Sequence, residues 1–167
     1  ARVDRVRGVS FRWNDLAASA GRGWQKGRQS GVISQEIKKV FPELVLSGER
    51  NDLEFCVRFV GDRAIAKLNE KYLHHSGPTD VIAFPMREGN LSNLHPELLG
   101  DVVISTQRAV EQAEKFQKSA SEELCLYVVH GILHLLGYDD IAPANRRRML
   151  KKQEAVMRAA AKHYGKD

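Results

Sequence analysis

Two histidines four positions apart, His130 and His134, followed closely by Asp139 and Asp140, carry this chain's clearest capacity for chemistry. On a helix, imidazoles at i and i+4 leave the same face one turn apart. Two nitrogens from one helical turn plus one ligand from the chain beyond make a three-ligand site for a divalent metal ion. Three protein ligands leave a position open for water or substrate, as in catalytic zinc sites. The competing account is a pair of hydrogen-bonded core histidines, which this spacing also produces by chance. Gly137 favours the metal: glycine takes the left-handed conformation that ends a helix at lowest cost. The chain can turn back there and bring Tyr138, Asp139 or Asp140 towards the two rings.

The element that must position the pair reads as a helix from Ser121 to Leu136. Ser121 before Glu122 and Glu123 is a good start, with acids against the positive end of the helix dipole. Leu124, Cys125, Val128, Leu135 and their neighbours make it apolar nearly all round, hence central and buried. The spacing His-x-x-x-His-x-x-Gly-x-x-Asp resembles the pattern of metzincin-type sites. Zinc proteases of that type place a glutamate directly after the first histidine as general base. Here that position is Gly131, which carries no proton, so a peptidase is disfavoured on chemistry.

The 167 residues suffice for one compact domain and leave little room for two. The expected division is a basic strand or arm over 1–30 and a single catalytic domain over 31–167. No apolar run approaches the ~20 residues of a membrane span. No charged-then-apolar leader is visible either, so the expectation is a cytoplasmic protein with no membrane partner. Cys56 and Cys125 lie in apolar stretches and read as free core thiols of a reducing compartment. The net charge of +5 is unevenly spread: residues 1–30 hold seven Arg/Lys against two acids, residues 143–167 eight against two, and the middle eleven against seventeen. Basic ends around an acidic centre suit a polyanion such as nucleic acid, although a solvated helix face and a loose arm would carry the same charges.

Along the chain, Val3, Val6, Val9 and Phe11 suggest a short first strand, and Val32 to Phe41 a short amphipathic helix followed by Pro42. Leu53 to Val60 is the clearest strand, with Leu53, Phe55, Val57 and Phe59 on one face and Arg58 on the other. Asp62 can cap a helix through Tyr72, with Ile65, Leu68 and Tyr72 inward. Val81 to Phe84 reads as a short buried strand stopped by Pro85, and Met86 to Leu98 as a loop long enough to be a lid. Val102 to Ser105 forms a third strand, Ser105 to Phe116 a helix, and Pro143 opens a last helix to about His163. The fold class is α+β: a small mixed sheet packed with about five helices, the histidine helix central.

These residues resemble the YbeY family, the single-domain metal-dependent endoribonucleases and ribosomal RNA maturation factors of bacteria. The family signature is His-Gly-x-Leu-His-Leu-x-Gly-Tyr-Asp-His. This chain reads His130-Gly131-Ile132-Leu133-His134-Leu135-Leu136-Gly137-Tyr138-Asp139-Asp140, alike at every place but the last. Val57-Arg58-Phe59-Val60 looks like the family's arginine-bearing strand and Leu68-Asn69-x-x-Tyr72 like the helix after it. Pro78 to Pro85 is similar to its Pro-Thr-Asp/Asn-Val-Leu-Ser-Phe-Pro segment, Leu99-Gly100-Asp101 to its Leu-Gly-Asp strand, and Met149 and Glu154 fit the last helix.

The resemblance implies one divalent metal ion, zinc first among candidates, held by His130, His134 and, in place of the family's third histidine, Asp140. It implies Arg58 lining the cleft, as a catalytic and substrate-binding residue. It also implies action on ribosomal RNA and the small ribosomal subunit, at the 3′ end of the small-subunit RNA and in ribosome quality control. Aspartate ligates zinc at a distance similar to histidine's. Its charge makes the site a weaker Lewis acid and lets hard ions such as Mn²⁺ compete, and Asp139 is an alternative ligand. The expected reaction is hydrolysis of an RNA phosphodiester, with Arg58 neutralising charge on the equatorial oxygens. Gly131 leaves the proton acceptor unassigned. Two rivals stand: a metallohydrolase of another substrate, and a non-catalytic ribosome assembly factor whose metal is structural.

Overall fold

Alternation of side chains builds the sheet. In the computed structural model, which describes residues 54–86 and 98–164, β1 (Glu54–Val60) buries Phe55, Val57 and Phe59 and leaves Arg58 exposed. That is the period-two pattern of a strand with one face on the core. β2 (Val81–Pro85) and β3 (Leu98–Ser105) complete a three-stranded mixed sheet in the order β1-β3-β2. β1 runs parallel to β3, pairing Val57 with Val102 and Arg58 with Val103. β2 runs antiparallel to it, pairing Ile82 with Val103. As the central strand β3 is buried on both faces, and it begins at Leu98 rather than at Val102: Met86 takes a backbone bond from its own N–H to Leu99, so pairing already holds there.

Register partners share a sheet face, so the residues divide into two sets. Val57, Phe59, Val102 and Ile104 enter the main core with Leu124, Val128, Val129, Ile132 and Leu133 of the histidine helix and Met149 and Val156 of the last helix. Ile82 and Val103 face the other way and pack with Ile65. Ile65 belongs to α1 (Asp62–Leu68), which continues as a π-helical turn over Asn69–Leu73.

Two expectations about α1 need correction. Asp62 is not its cap: Gly61 holds that position, and the Asp62 carboxylate instead accepts the Ser105 hydroxyl at 2.6 Å and pairs with Arg108 at 3.2 Å. Tyr72 is not inward but 52% exposed, edge-on to Phe84. The wider π turn keeps Asn69 buried but rotates Tyr72 off the inward stripe that Ile65 begins.

α2 (Thr106–Lys115) starts from Ser105, whose Oγ accepts the Arg108 N–H. α3 (Ala120–Leu135) starts one residue before the expected Ser121. Ser119 is the cap, and its reciprocal bonds with Glu122 form a capping box. α4 (Pro143–Tyr164) opens at Pro143, as its favourable first-turn chemistry leads one to expect. Of the five expected helices, these four lie among the described residues; Val32 to Phe41, the first strand, the 1–30 arm and most of the Met86–Leu98 loop lie outside them. Both cysteines are free thiols. Burial pushes the Cys125 thiol up to about 12, and it rests 3.7 Å from the Met157 sulfur. No described helix is long and apolar enough to cross a membrane.

Candidate metal centre

Close packing decides which way α3 faces. Gly131 is buried, and a Cβ there would lie 2.4 Å from Val102 Cγ1. Only glycine lets helix and central strand approach so closely. A glutamate at this position would be driven into Val102, so the general base of the zinc peptidases is absent for steric as well as chemical reasons. With that side of α3 against the sheet, His130 and His134 leave it half-buried.

Beyond Leu135 the chain reverses through a motif its glycine makes possible. The Gly137 N–H donates to His134 O at 2.9 Å and the Tyr138 N–H to Leu133 O at 3.0 Å, with Gly137 at φ 84. These are the paired bonds of a Schellman ending. The reversal turns the Tyr138 carbonyl onto His134, whose Nδ1 donates to it at 3.0 Å. Since a carbonyl only accepts, Nδ1 carries the hydrogen and Nε2 a lone pair. His130 is set the same way from α4: its Nδ1 donates to Gln153 Oε1 at 2.9 Å. The two Nε2 atoms then lie 3.1 Å apart, each with its lone pair free for a cation.

Two bare lone pairs this close repel, and a cation between them removes the repulsion. For tetrahedral zinc with Zn–N of about 2.0–2.1 Å, two nitrogen ligands stand about 3.3 Å apart; the observed separation fits. Burial, with the neighbouring imidazole second, lowers the pKa of His134, and Asp140, the Tyr138 carbonyl and Asp139 pull the other way. The ring is therefore neutral at physiological pH, the form that binds metal.

The two aspartates separate cleanly. Asp139 is committed to the loop, its Oδ1 accepting the Ile141 N–H at 3.2 Å and its Oδ2 the Asn145 side-chain N–H at 2.8 Å. Asp140 Oδ2 lies 4.0 Å from His130 Nε2. One ligand atom from each of His130, His134 and Asp140 falls within 4.8 Å of the others, the one such grouping among the described residues. The donor set, two imidazoles and a carboxylate, suits zinc and also harder divalent ions.

Arg58 is not brought to this cluster. It pairs with Val103 and so occupies the face packed by α1, whereas α3 covers the face of Val57 and Val102. Gln153 and the Tyr138 carbonyl, which orient the two imidazoles, were missed in the sequence. A glutamine among lysines and a backbone oxygen carry no pattern, although Gln153 lies four residues after Met149 on the inward stripe of α4 and is only 8% exposed.

The chain is similar to known proteins over most of its length. A family model described as endoribonuclease YbeY matches residues 24–161, and one described as a chaperone of endosialidase matches residues 1–46, outside the described residues. An endoribonuclease YbeY of Geobacter metallireducens is 37% identical over 131 residues, 77% of this chain and 87% of that protein. One of Desulfitobacterium hafniense is 36% identical, covering 80% and 86%. Among solved structures, the solution structure of a Thermotoga maritima protein matches with a TM-score of 0.55 at 25% identity, over 79% of this chain and 81% of that one.

Proposed function

The chain belongs to the YbeY family, and from that premise we propose that it is a metal-dependent endoribonuclease of ribosomal RNA processing, with His130, His134 and Asp140 as its metal ligands. One observation carries the site: both Nδ1 atoms are committed to oxygen acceptors, which leaves two Nε2 lone pairs 3.1 Å apart and a carboxylate beside them. A bound divalent ion, zinc first among candidates, supplies a Lewis acid for the phosphodiester and lowers the pKa of water.

The chain's own residues do the rest. Gln153 and the Tyr138 carbonyl hold the imidazoles in the ligating tautomer. Asp140 adds the negative charge that reduces a dication to a net single positive charge. The RNA backbone is neutralised by exposed cations, in which we include Arg58 and the basic first turns of α4. Arg58, being across the sheet, serves in this reading as a backbone contact and not at the reacting phosphorus. The small ribosomal subunit as partner, the 3′ end of its RNA as target and a cytoplasmic location complete the proposal.

A peptidase reading fails on Gly131. An assembly factor with a structural metal remains separable by experiment. The purified protein should contain close to one divalent ion per chain and cut single-stranded RNA. His130→Ala together with His134→Ala should remove both metal and cleavage while leaving RNA binding largely intact. Undiminished cleavage by the metal-free double variant would overturn the mechanism, and metal without cleavage of any RNA would make the protein an assembly factor.

A further inference from the structure

The loop that places Asp140 has another side. Leu136, Gly137, Tyr138, Asp139, Asn145 and Arg148 line a cavity of about 290 Å³. Its two halves share Tyr138, whose carbonyl holds His134 while its ring lies under the Arg148 guanidinium, 5.3 Å from Cζ to the ring centre. Stacking on an aromatic ring fixes the plane of a guanidinium and leaves its edge of N–H donors for a phosphate. In the same lining, the Asp139 carboxylate is partly offset by the Ile141 and Asn145 donors and keeps lone pairs for a hydroxyl. Arg146, Arg147, Lys151 and Lys152 surround Arg148 in sequence, so the helix that forms this wall is basic.

We infer that this cavity seats one nucleotide of single-stranded RNA next to the bond being cut, with its phosphate on Arg148 and a ribose hydroxyl on Asp139. The inference deepens the nuclease reading and rests on it. The volume, at the low end of the roughly 300–1,000 Å³ of ligand pockets, takes one such unit. Phosphate and sugar contacts orient the strand without reading its bases, so the subsite is indifferent to sequence.

The test is fluorescence anisotropy of the metal-loaded protein with a single-stranded RNA on the order of ten nucleotides long, kept cold and checked on a gel for integrity. Arg148→Ala should weaken binding about tenfold and reduce the salt slope by about one. Arg147→Ala, which removes the same charge one residue away and outside the cavity, should cost only the diffuse backbone attraction that the basic turns of α4 supply, a change of less than about threefold on the same scale. Arg148→Lys should recover only part of the loss, because lysine offers neither the stacked plane nor the fork. Equal losses for Arg147→Ala and Arg148→Ala would reduce the effect to net charge and overturn the subsite. So would unchanged binding, or a loss of zinc affinity by Arg148→Ala as large as its loss of RNA affinity. Cleavage is read separately: Arg148-dependent binding without cleavage by the wild type refutes the nuclease reading alone, and cleavage by Arg148→Ala at wild-type rates under limiting RNA refutes the subsite alone.

Discussion

The two faces of the sheet are built to different standards. On the α3 face, buried side chains from β1, β3, α3 and α4 interlock in one core that includes Leu133, Val102 and Met149, each completely buried. On the α1 face, the described core is three residues, Ile65, Ile82 and Val103. The proposed metal ligands belong to the side that α3 covers and Arg58 to the other. A cation needs its ligands placed within a few tenths of an ångström, and only a close-packed wall holds them so. A backbone contact to RNA needs a charge near the strand and tolerates a looser support.

That contrast is sharpest in a matched pair of core truncations. Leu133→Ala and Ile65→Ala both remove a completely buried side chain and should each cost about 2–5 kcal/mol in denaturant unfolding. Only Leu133→Ala should also weaken zinc binding in a chelator competition, since Leu133 lies in the turn of α3 between His130 and His134 and a cavity left there lets that turn shift. Equal loosening of the metal by both variants would erase the distinction between the faces.

A smaller effect tests the α3 face from α4. Gln153→Leu removes the acceptor of His130 Nδ1–H and should lower metal affinity by about 10–100-fold, the usual cost of losing such a partner. Gln153→Glu, which keeps the acceptor, should recover most of it. Failure of that recovery would make Gln153 a packing residue only. The smallest effect belongs to the other face: Arg58→Ala should leave metal affinity unchanged and weaken RNA binding uniformly across sequences, with the salt slope reduced by about one. A large drop in cleavage rate at saturating RNA would instead put Arg58 at the reacting phosphate.

Much of this was legible in the residues. Period-two alternation located β1 to within a residue, Pro143 opened α4, and the histidine spacing with Gly137 located the cluster, because each depends on neighbours along the chain. The legible signals failed where a competing partner or an irregular turn prevailed. Ser121 resembles a helix cap, yet Ser119 has Glu122 three residues on and takes the capping box. Tyr72 fits a helical stripe, yet the π turn after Leu68 rotates it out. Asp62 resembles a cap, yet Ser105 and Arg108, more than forty residues away, claim its carboxylate.

The sequence by itself determined the types of the proposed ligands, their i,i+4 spacing and the reversal at Gly137, since a helical turn and a left-handed glycine follow from local geometry. Tertiary structure alone decided which lone pairs face each other, through a glutamine from α4 and a backbone carbonyl. It alone separated Asp140 from Asp139, by committing the latter to Asn145, and it alone set Arg58 across the sheet from the histidines. Some of those choices depend on segments distant in the chain, as His130 on Gln153 and Arg58 on β3, and the others on the folded path of the loop after α3, where spacing alone does not tell one neighbour from the next.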